Sequence, residues 1–346
     1  MATIKEIAKR AGVSVGTVDR VIHNRGDVNE QTKKLVEEII KELNYQPNSV
    51  ARALAIKKKK LKILFYILEH KDHIFFGDVY EAALNRAKEL EDFGVQVDFV
   101  ELGADTKQWD MHLDEIKEYD GIISAMFESK QLLEMGQLAN GLDIPIVCYN
   151  RDMIPEVKTI AYVGSDYKQA GRIAAGLSAL IGGNDSKVCI FSEVYAGADV
   201  LAGKGFDRIE GFEEELAARY PAMFVVDKCL LYNDLSKNEI AIRDMLKNHP
   251  DVNVIYVDNP GNYSFCEALA NIDKDHKIKL ITHDLVGRQK QMLQDGIIDA
   301  TIGQEPDVQG TMPLDIMFRY LAFGDNPKEH DYLTKQSIII SQNMPN

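Results

Sequence analysis

Ten short apolar segments, separated by longer amphipathic stretches, run through the chain between residues 62 and 304. Apolar runs that alternate with helical patterns of about 10–15 residues are typical of parallel strands covered by helices on both faces of a sheet. So many strands favour two doubly wound parallel-sheet lobes, an α/β fold, over one sheet. The predicted strands read KILFYIL, VQVDFVEL, GIISA, IPIVCYN, IAYVGS, KVCIFSE, FVVDKCLL, VNVIYVD, KIKLITHD and ATIGQ.

Charge is distributed unevenly along the chain. The formal net charge of the 346 residues is −14, which by itself argues against a nucleic-acid partner. Residues 1–60, however, contain 13 Lys and Arg against 7 Asp and Glu, a net charge of +6, which leaves −20 for the remainder. A small cationic head on an acidic body is typical of a protein whose head binds an anionic polymer.

Signals for three short helices occupy the first 43 residues. The motif TIKE at residues 3–6 is a capping box, Gly12 can end the helix that follows, and Ser14 can cap a second one. The spacing predicts a helix-turn-helix. A third helix is predicted from Asn29, and its apolar stripe consists of Leu35, Ile39 and Leu43.

The second helix is predicted to have two opposite faces. Val18, Val21 and Ile22 pack against the neighbouring helices, which leaves Gly16 and Arg20 on the outer face. In a helix-turn-helix this outer face enters the DNA major groove, where arginine makes bidentate contacts to guanine. The alternative is a three-helix protein-interaction module whose polar face is solvated.

The next segment, QPNSVARALAIKKKK, favours the DNA-binding alternative. It is too short to be a stable isolated helix, so we expect it to fold only when paired with its twin on DNA. Leu54 would then be an apolar wedge in the minor groove. The lysine run at 57–60 is either a solvated linker or a set of phosphate contacts.

Residues 3–54 closely resemble the headpiece and hinge helix of the lactose-repressor (LacI/GalR) family. The remainder resembles the sugar-binding domain of that family, which is similar to the periplasmic ribose-type binding proteins, the type I fold. The resemblance implies three segments: a helix-turn-helix headpiece at 1–47, a hinge helix and basic linker at 48–60, and a bilobed ligand-binding and dimerisation domain at 61–346. It also divides the body into one lobe at about 61–161 and 292–323 and another at about 162–291 and 324–346.

The head departs from the family pattern at two places. Asp19 stands where the family usually has Ser, and the pair that reads the operator is Val15-Gly16. Both departures leave the operator sequence open but preserve the docking mode. The predicted DNA-contacting residues are Thr3, Ser14, Val15, Gly16, Thr17, Asp19, Arg20, His23, Asn24, Arg25, Asn48, Ala51 and Leu54.

Polar side chains follow several predicted strands, at the positions where doubly wound folds bind their ligands. Asn150, Arg151, Asp258 and Asp284 are examples, and such groups can bind the vicinal hydroxyls of a polyol. The resemblance implies ligand contacts from Phe75, Phe76, Asn150, Arg151, Arg208, Asn259, Asp284 and Gln304.

Some of these residues have an alternative interpretation. Asp284 could cap the next helix, and Phe75 could be an ordinary core residue. Asp166, in VGSDYKQAG, is predicted to be a helix N-cap and not a ligand contact. Asn150 stands where the ribose-type binders have Asp, which leaves the identity of the sugar open.

The resemblance implies a dimeric transcriptional regulator, expected to be a repressor, that binds a pseudo-palindromic operator and is controlled by a small carbohydrate bound between the lobes. The alternative is a solute-binding protein of a transport system, which would need a signal peptide and has no use for a cationic head. A dimer is favoured over a tetramer because no leucine heptads follow the last strand, SIIISQN.

Other classes are excluded by missing patterns. The sequence has neither a phosphate-binding nor a dinucleotide-binding glycine motif, so we predict no enzymatic activity and no cofactor. Its eight histidines show no metal-ligand spacing, and the four cysteines, none in a C-x-x-C pair, are expected to be reduced and structural. A polar N-terminus and the lack of a long apolar run predict a cytoplasmic protein.

Overall fold

The computed structural model describes residues 4–22, 28–43, 57–68, 74–103, 111–126, 129–152, 154–193, 202–259, 261 and 263–344. Seven of the predicted DNA-contacting residues lie outside these described residues, so the structure does not test them. They are Thr3, His23, Asn24, Arg25, Asn48, Ala51 and Leu54.

The N-terminal unit consists of three helices: α1 (Ile4–Ala11), α2 (Val15–Ile22) and α3 (Glu30–Glu42). Gly12 has a left-handed φ of +66° and ends α1, as predicted. The amide of Thr17 donates to Ser14 Oγ at 3.0 Å, and that of Thr32 donates to Asn29 Oδ1 at 2.8 Å. Both predicted caps are therefore present, and they satisfy amides that have no partner within their helices.

A small apolar core holds the three helices together. Ile7, Val18 and Val36 are fully buried in it, and Ile39 is nearly so. The predicted stripe of α3 was wrong at Leu35, which is 44% exposed. Val36 takes the inward position because α3 presents the i, i+3 pair Val36 and Ile39 to α1 and α2.

Among the described residues, the body contains two six-stranded sheets. The first sheet has the order β11-β5-β4-β3-β1-β2, and all of its strand pairs are parallel. Its strands are β1 (Leu61–Leu68), β2 (Val95–Leu102), β3 (Gly121–Met126), β4 (Ile146–Asp152), β5 (Ala161–Gly164) and β11 (Asp331–Leu333).

The second sheet has the order β12-β10-β9-β8-β6-β7, and it is parallel except for the pairing of β12 with β10. All ten predicted strands are present in the two sheets, so the predicted α/β class is confirmed. The strands of the second sheet are β6 (Lys187–Ser192), β7 (Phe224–Leu230), β8 (Val254–Val257), β9 (Lys279–His283), β10 (Ala300–Gly303) and β12 (Ser337–Ile339).

Helices pack against the sheets and bury apolar clusters between the layers. None of the helices within the described ranges combines the length and the apolarity that a membrane crossing requires. The helices are α4 (Ile74–Glu91), α5 (Lys130–Gly141), α6 (Tyr167–Gly182), α7 (Ala202–Arg219), α8 (Leu235–Asn248), α9 (Ser264–Ile272), α10 (Gly287–Gln294) and α11 (Pro306–Phe323).

The chain passes between the two sheets three times, but not at the predicted positions. Segment 292–303, expected in the first lobe, contains β10, which pairs with β9 in the second sheet. Conversely, β11 lies in the part assigned to the second lobe and pairs with β5 in the first sheet. The predicted boundary after residue 161 falls inside β5. Backbone pairing, which is long-range, therefore moves all three crossings towards the C-terminus.

The crossing segments are bonded to one another. The amide of Thr334 donates to the carbonyl of Gly164 at 2.8 Å, and the hydroxyls of Ser165 and Thr334 lie 3.1 Å apart. The amide of Lys335 donates to Glu305 Oε2 at 2.7 Å. The three places where the chain changes sheets therefore form one connected region.

Helices α6 and α7 approach each other closely through glycine. A Cβ atom on Gly171 would overlap the carbonyl oxygen of Arg208, and a Cβ atom on Gly211 would overlap that of Lys168. Each helix thus fits against the backbone of the other, and this contact sets the position of the α7 turn that carries Arg208.

We predict that Gly171→Ala lowers the free energy of unfolding by about 1–3 kcal/mol, because the added methyl group meets backbone that cannot move without displacing a helix. Gly176→Ala, in the same helix, is the matched control. Its Cβ atom would meet only Tyr220 Oη at 3.8 Å, so this variant should gain up to about 1 kcal/mol from helix propensity. Urea denaturation followed by circular dichroism compares the two, and equal stability of the variants would contradict the close packing.

Candidate functional site

The outer face of α2 is small and open. Gly16 and Arg20 are exposed, as is Val15, whereas Thr17 and Asp19 are half-buried. A Cβ atom on Gly16 would meet only a side-chain oxygen at 3.6 Å, and its φ is not left-handed. Neither packing nor backbone conformation therefore requires glycine at this position. The missing side chain therefore has no role in the packing of the three helices, and it leaves room for a molecule that contacts α2 from outside.

Polar residues meet where the strands of the two sheets end, and several have unusual backbones. Asn150 and Asp284 are buried and have left-handed φ values of +56° and +67°. Glu305, which follows β10, has a φ of +53°. Non-glycine residues in this region cost about 1–3 kcal/mol each when strained, and they concentrate at functional sites.

A chain of hydrogen bonds joins the two halves of the body at this place. Asn150 Nδ2 donates to Gln309 Oε1 at 3.0 Å, and Gln309 Nε2 donates to the carbonyl of Gln304 at 2.9 Å. Gln304 Nε2 in turn donates to Asp284 Oδ1 at 2.7 Å. Asn150 belongs to the first sheet, while Gln304 and Asp284 follow strands of the second, so one network connects predicted ligand residues from both sheets.

Asp284 is not a helix cap. The N-cap of α10 is Val286, and the Asp284 carboxylate instead accepts a hydrogen bond from Gln304. The alternative interpretation of Asp284 was therefore wrong. Asp166 does cap α6, because its Oδ1 accepts from the amide of Gln169 at 2.8 Å, as the sequence predicted.

Two arginines meet at one aromatic ring. The Cζ atom of Arg151 lies 4.4 Å from the ring centroid of Tyr167, and that of Arg208 lies 4.8 Å from the same centroid. The Tyr167 hydroxyl donates to the carbonyl of Asn150 at 3.0 Å, which holds the ring between the sheets. Arg208 Nη1 donates to the carbonyl of Asp258.

Asp258, at the end of β8, is fully enclosed. Its Oδ2 accepts from Ser192 Oγ at 2.8 Å. Burial raises the pKa of Asp258 to about 6, although the nearby Arg208 and the hydrogen bonds from Ser192 and from the amide of Asn259 act to lower it. Asn259 is half-buried next to this carboxylate.

A second group of titratable residues lies at the Asp284 end of the network. Partial desolvation raises the pKa of Asp78 on α4, and the charges of Glu81 and Asp284 raise it further, while Lys290 lowers it. Burial likewise raises the pKa of Tyr263, with a further contribution from Asp284. Asp78 and Asp284 thus lie in electrostatic range of each other across the two halves of the body.

The two predicted aromatic residues lie in the core. Phe75 is 3% and Phe76 is 9% exposed, their rings form an edge-to-face pair with centroids 5.3 Å apart, and both belong to the apolar cluster of the first sheet. This position agrees with the alternative interpretation of Phe75 as a core residue, and their role as ligand contacts stays a prediction.

Sequence reasoning missed Tyr167, Gln309 and Asp258 as members of the candidate site, although Asp258 was noted at a strand end. Tyr167 immediately follows the N-cap Asp166, and Gln309 lies in the first turn of α11. The sequence did contain a signal for Tyr167 and Gln309. A helix that follows a strand begins at the sheet edge where the strand ends, so polar or aromatic residues in its first turn are also candidates for the site.

Comparison with known proteins finds a family match for each of the two parts of the chain, the N-terminal helices and the body. Residues 3–48 match the model of bacterial regulatory proteins of the lacI family, and residues 64–326 match the periplasmic binding protein domain. The probable HTH-type transcriptional repressor ExuR of Bacillus subtilis is 31% identical over 183 residues, which cover 50% of this chain and 50% of that protein. The chain thus spans about half the length of this relative.

Other similar proteins extend over more of the chain. The sucrose operon repressor of Lactococcus lactis is 26% identical over 72% of this chain and 73% of its own length. The crystal structure of GanP, a glucose-galactose binding protein from Geobacillus stearothermophilus, superposes with a TM-score of 0.68 at 22% identity, covering 83% of this chain and 99% of that one. The latter similarity concerns the fold of the body alone.

We predict that Asp258→Asn changes how stability depends on pH. Asp258 has a pKa of about 6 in the folded chain against an ordinary 3.8, so between about pH 4 and 6 the folded state holds more protons than the unfolded state. The contribution of Asp258 to stability therefore falls as the pH rises through this window. The asparagine variant cannot ionise, so its stability relative to the wild type should rise by roughly 2.5 kcal/mol between pH 4 and 7.

Urea denaturation at pH values from 3 to 7 measures this difference. Asp251→Asn is the control, because Lys187 lowers the pKa of the exposed Asp251 and its small contribution is lost as the pH falls. A stability difference between Asp258→Asn and the wild type that stays constant over the whole range would show that the carboxyl is not destabilised by burial.

Proposed function

The chain belongs to the lacI family of bacterial regulatory proteins, with a periplasmic-binding-protein domain as its body, and from this premise we propose that it is a DNA-binding transcriptional repressor. Two copies bind a pseudo-palindromic operator, and a small carbohydrate effector bound between the two sheets controls the affinity. Because its partner is operator DNA, its place of action is the cytoplasm.

The outer face of α2 is the observation that carries this proposal. Its exposed residues combine a guanidinium, Arg20, with a glycine, Gly16, whose missing side chain no internal contact requires. Arginine makes the bidentate hydrogen bonds that distinguish guanine, and a glycine lets the helix backbone come close to the base edges. A solvated interaction module would need neither property.

The head supplies the electrostatic part of the affinity. Its net charge of +6 attracts the phosphate backbone, whereas the −20 of the remaining residues repels it. Residues 48–60 contribute five of the six net positive charges, so the attraction brings the N-terminal end of the chain, and not the body, towards the duplex. Phosphate contacts position the head, and the base contacts of α2 specify the sequence.

The polar network between the sheets supports a small polyhydroxylated effector. Acceptors such as Asp284 and donors such as Arg151 suit vicinal hydroxyl groups, and the network draws these residues from both halves of the body. A ligand that bridges the halves selects one arrangement of the connected crossing segments, and it thereby changes the affinity for operator, typically by about 1–3 kcal/mol in coupled systems.

A solute-binding protein of a transport system is the second candidate, since GanP shares the fold of the body. The N-terminal helices α1 to α3 argue against it, because a transport receptor has no use for a helix-turn-helix followed by a cationic segment. The relatives ExuR and the sucrose operon repressor are named as repressors.

We predict that Arg20→Ala loses operator discrimination but keeps weak, salt-sensitive binding. Because the operator is unknown, the wild-type chain first selects its site from a random duplex library. Electrophoretic mobility shift with the selected and a scrambled duplex then measures the ratio of affinities, which should fall in the variant by roughly 5- to 150-fold, as expected for the loss of one bidentate base contact.

Arg10→Ala is the matched control for this experiment. Arg10 lies on α1, pairs with Glu42 at 3.5 Å, and its removal deletes the same charge without touching the outer face of α2. It should weaken binding to both duplexes equally. An Arg20→Ala chain that discriminates as well as Arg10→Ala would contradict the proposal, and so would a wild-type chain that selects no sequence.

A further inference from the structure

The two guanidinium groups that meet at Tyr167 come from different halves of the body. Arg151 extends from β4 of the first sheet, and Arg208 lies on α7, which packs with α6 on the second sheet. Since their Cζ atoms lie 4.4 and 4.8 Å from one ring centroid, they are at most about 9 Å apart. Two positive charges at this separation in a poorly hydrated place repel each other.

Neither arginine forms a direct ion pair within the described ranges, although the charge of Arg208 lowers the pKa of the buried Asp258 carboxyl. Other Lys and Arg side chains of the described residues pair with Asp or Glu, but none of these ion pairs involves Arg151 or Arg208. Arg208 bonds only the main-chain carbonyl of Asp258, and two buried donors, Arg151 Nη1 and Arg208 Nε, have no hydrogen-bond partner in the part of the chain that the structure describes. A buried donor without a hydrogen-bond partner is costly, and two guanidinium groups so close together favour an acceptor that carries negative charge.

Among the described residues, the nearby polar groups leave these two donors without a hydrogen-bond partner. The Asp258 carboxylate is bonded to Ser192, and Asp284 is bonded to Gln304. Asn150, next to Arg151 in the chain, is an uncharged amide whose Nδ2 donates to Gln309. The positive charge of Arg208 lowers the pKa of Asp258, but Arg208 donates its hydrogen bond to the main-chain carbonyl of Asp258 and not to its carboxylate.

The opposite end of the network has the opposite character. Asp78 and Asp284 lie in electrostatic range of each other there, with Tyr263 beside Asp284. Carboxylates accept hydrogen bonds from hydroxyl groups but repel an acidic group. The site is therefore asymmetric: both guanidinium groups lie at one end, together with the Asp258 carboxylate, whereas Asp78 and Asp284 lie at the other end.

We propose that the effector is an acidic sugar, with a carboxylate or phosphate group held by Arg151 and Arg208 and hydroxyl groups directed to the Asp284 end. This inference rests on the proposed function for the existence of an effector site between the sheets. The guanidinium fork suits both carboxylate and phosphate, because each presents two oxygens at matching spacing. The anion would satisfy the two buried donors and relieve the repulsion between the arginines.

Calorimetric titration of the full chain with matched probes tests the proposal. The panel contains D-glucose, D-galactose and D-mannose, each with its uronate and its 6-phosphate. We expect at least one acid to bind tenfold or more tightly than its neutral parent, with an affinity that falls as salt rises. Preference for the uronate assigns a carboxylate, and preference for the 6-phosphate assigns a phosphate. A neutral sugar that binds as tightly as its acids, or a panel without binding, overturns the proposal.

Arg151→Gln and Arg208→Gln, tested separately, should each lower the affinity for the preferred acid at least tenfold and that for its neutral parent much less. Arg172→Gln is the control, since Arg172 is paired with Glu214 on the outside of α6 and loses the same charge. Circular dichroism verifies that each variant folds. If Arg208→Gln does not fold, Arg151→Gln still tests the proposal, because Arg151 is only half-buried. Equal losses for acid and parent would contradict anion binding.

The two proposals fail independently. Operator selection is carried out both without ligand and with each sugar of the panel, so a chain that selects DNA but ignores every acid refutes only the acidic effector. A chain that binds a uronate or a sugar phosphate but selects no duplex refutes the regulator and leaves the anion site intact.

Discussion

Parallel pairing of the central strands is the constraint on which the interlobe site depends. Because the central strands of each sheet run in one direction, the residues that follow them arrive at one edge of that sheet. Asp258, Asp284 and Gln304 reach the edge of the second sheet in this way, and Asn150 lies near the end of β4 at the corresponding edge of the first, although more than 150 positions separate Asn150 from Gln304. Hydrogen bonds between residues that are far apart in sequence then hold these polar side chains in place.

Much of the architecture is readable from local patterns. Apolar runs marked all ten predicted strands, and short-range caps marked the helices of the head. The assignment of strands to sheets was less accessible, because every strand–helix unit of an α/β chain has the same local signature. Segment 292–303 was therefore placed with the wrong half. The three-residue strand β11 has no apolar run, and its position is set only by pairing with β5.

The candidate site shows the same division between local and long-range information. Asn150, Arg151 and Asp284 were predicted because they directly follow apolar runs. The partners that give them a chemical character, Tyr167 and Gln309, lie in the first turns of helices, and nothing local links them to the strand ends. Only the folded chain shows that both arginines share one ring and that Arg151 Nη1 and Arg208 Nε have no hydrogen-bond partner among the described residues.

The three passages of the chain between the sheets have a consequence for how the body can be divided. Strands β11 and β12 are consecutive in the chain, yet β11 forms an edge of the first sheet and β12 an edge of the second. A stop codon after residue 330 would strip one border strand from each lobe at once. Neither lobe is a continuous gene segment, so the two cannot be exchanged between relatives as simple cassettes, and residues 331–339 are needed to complete both sheets.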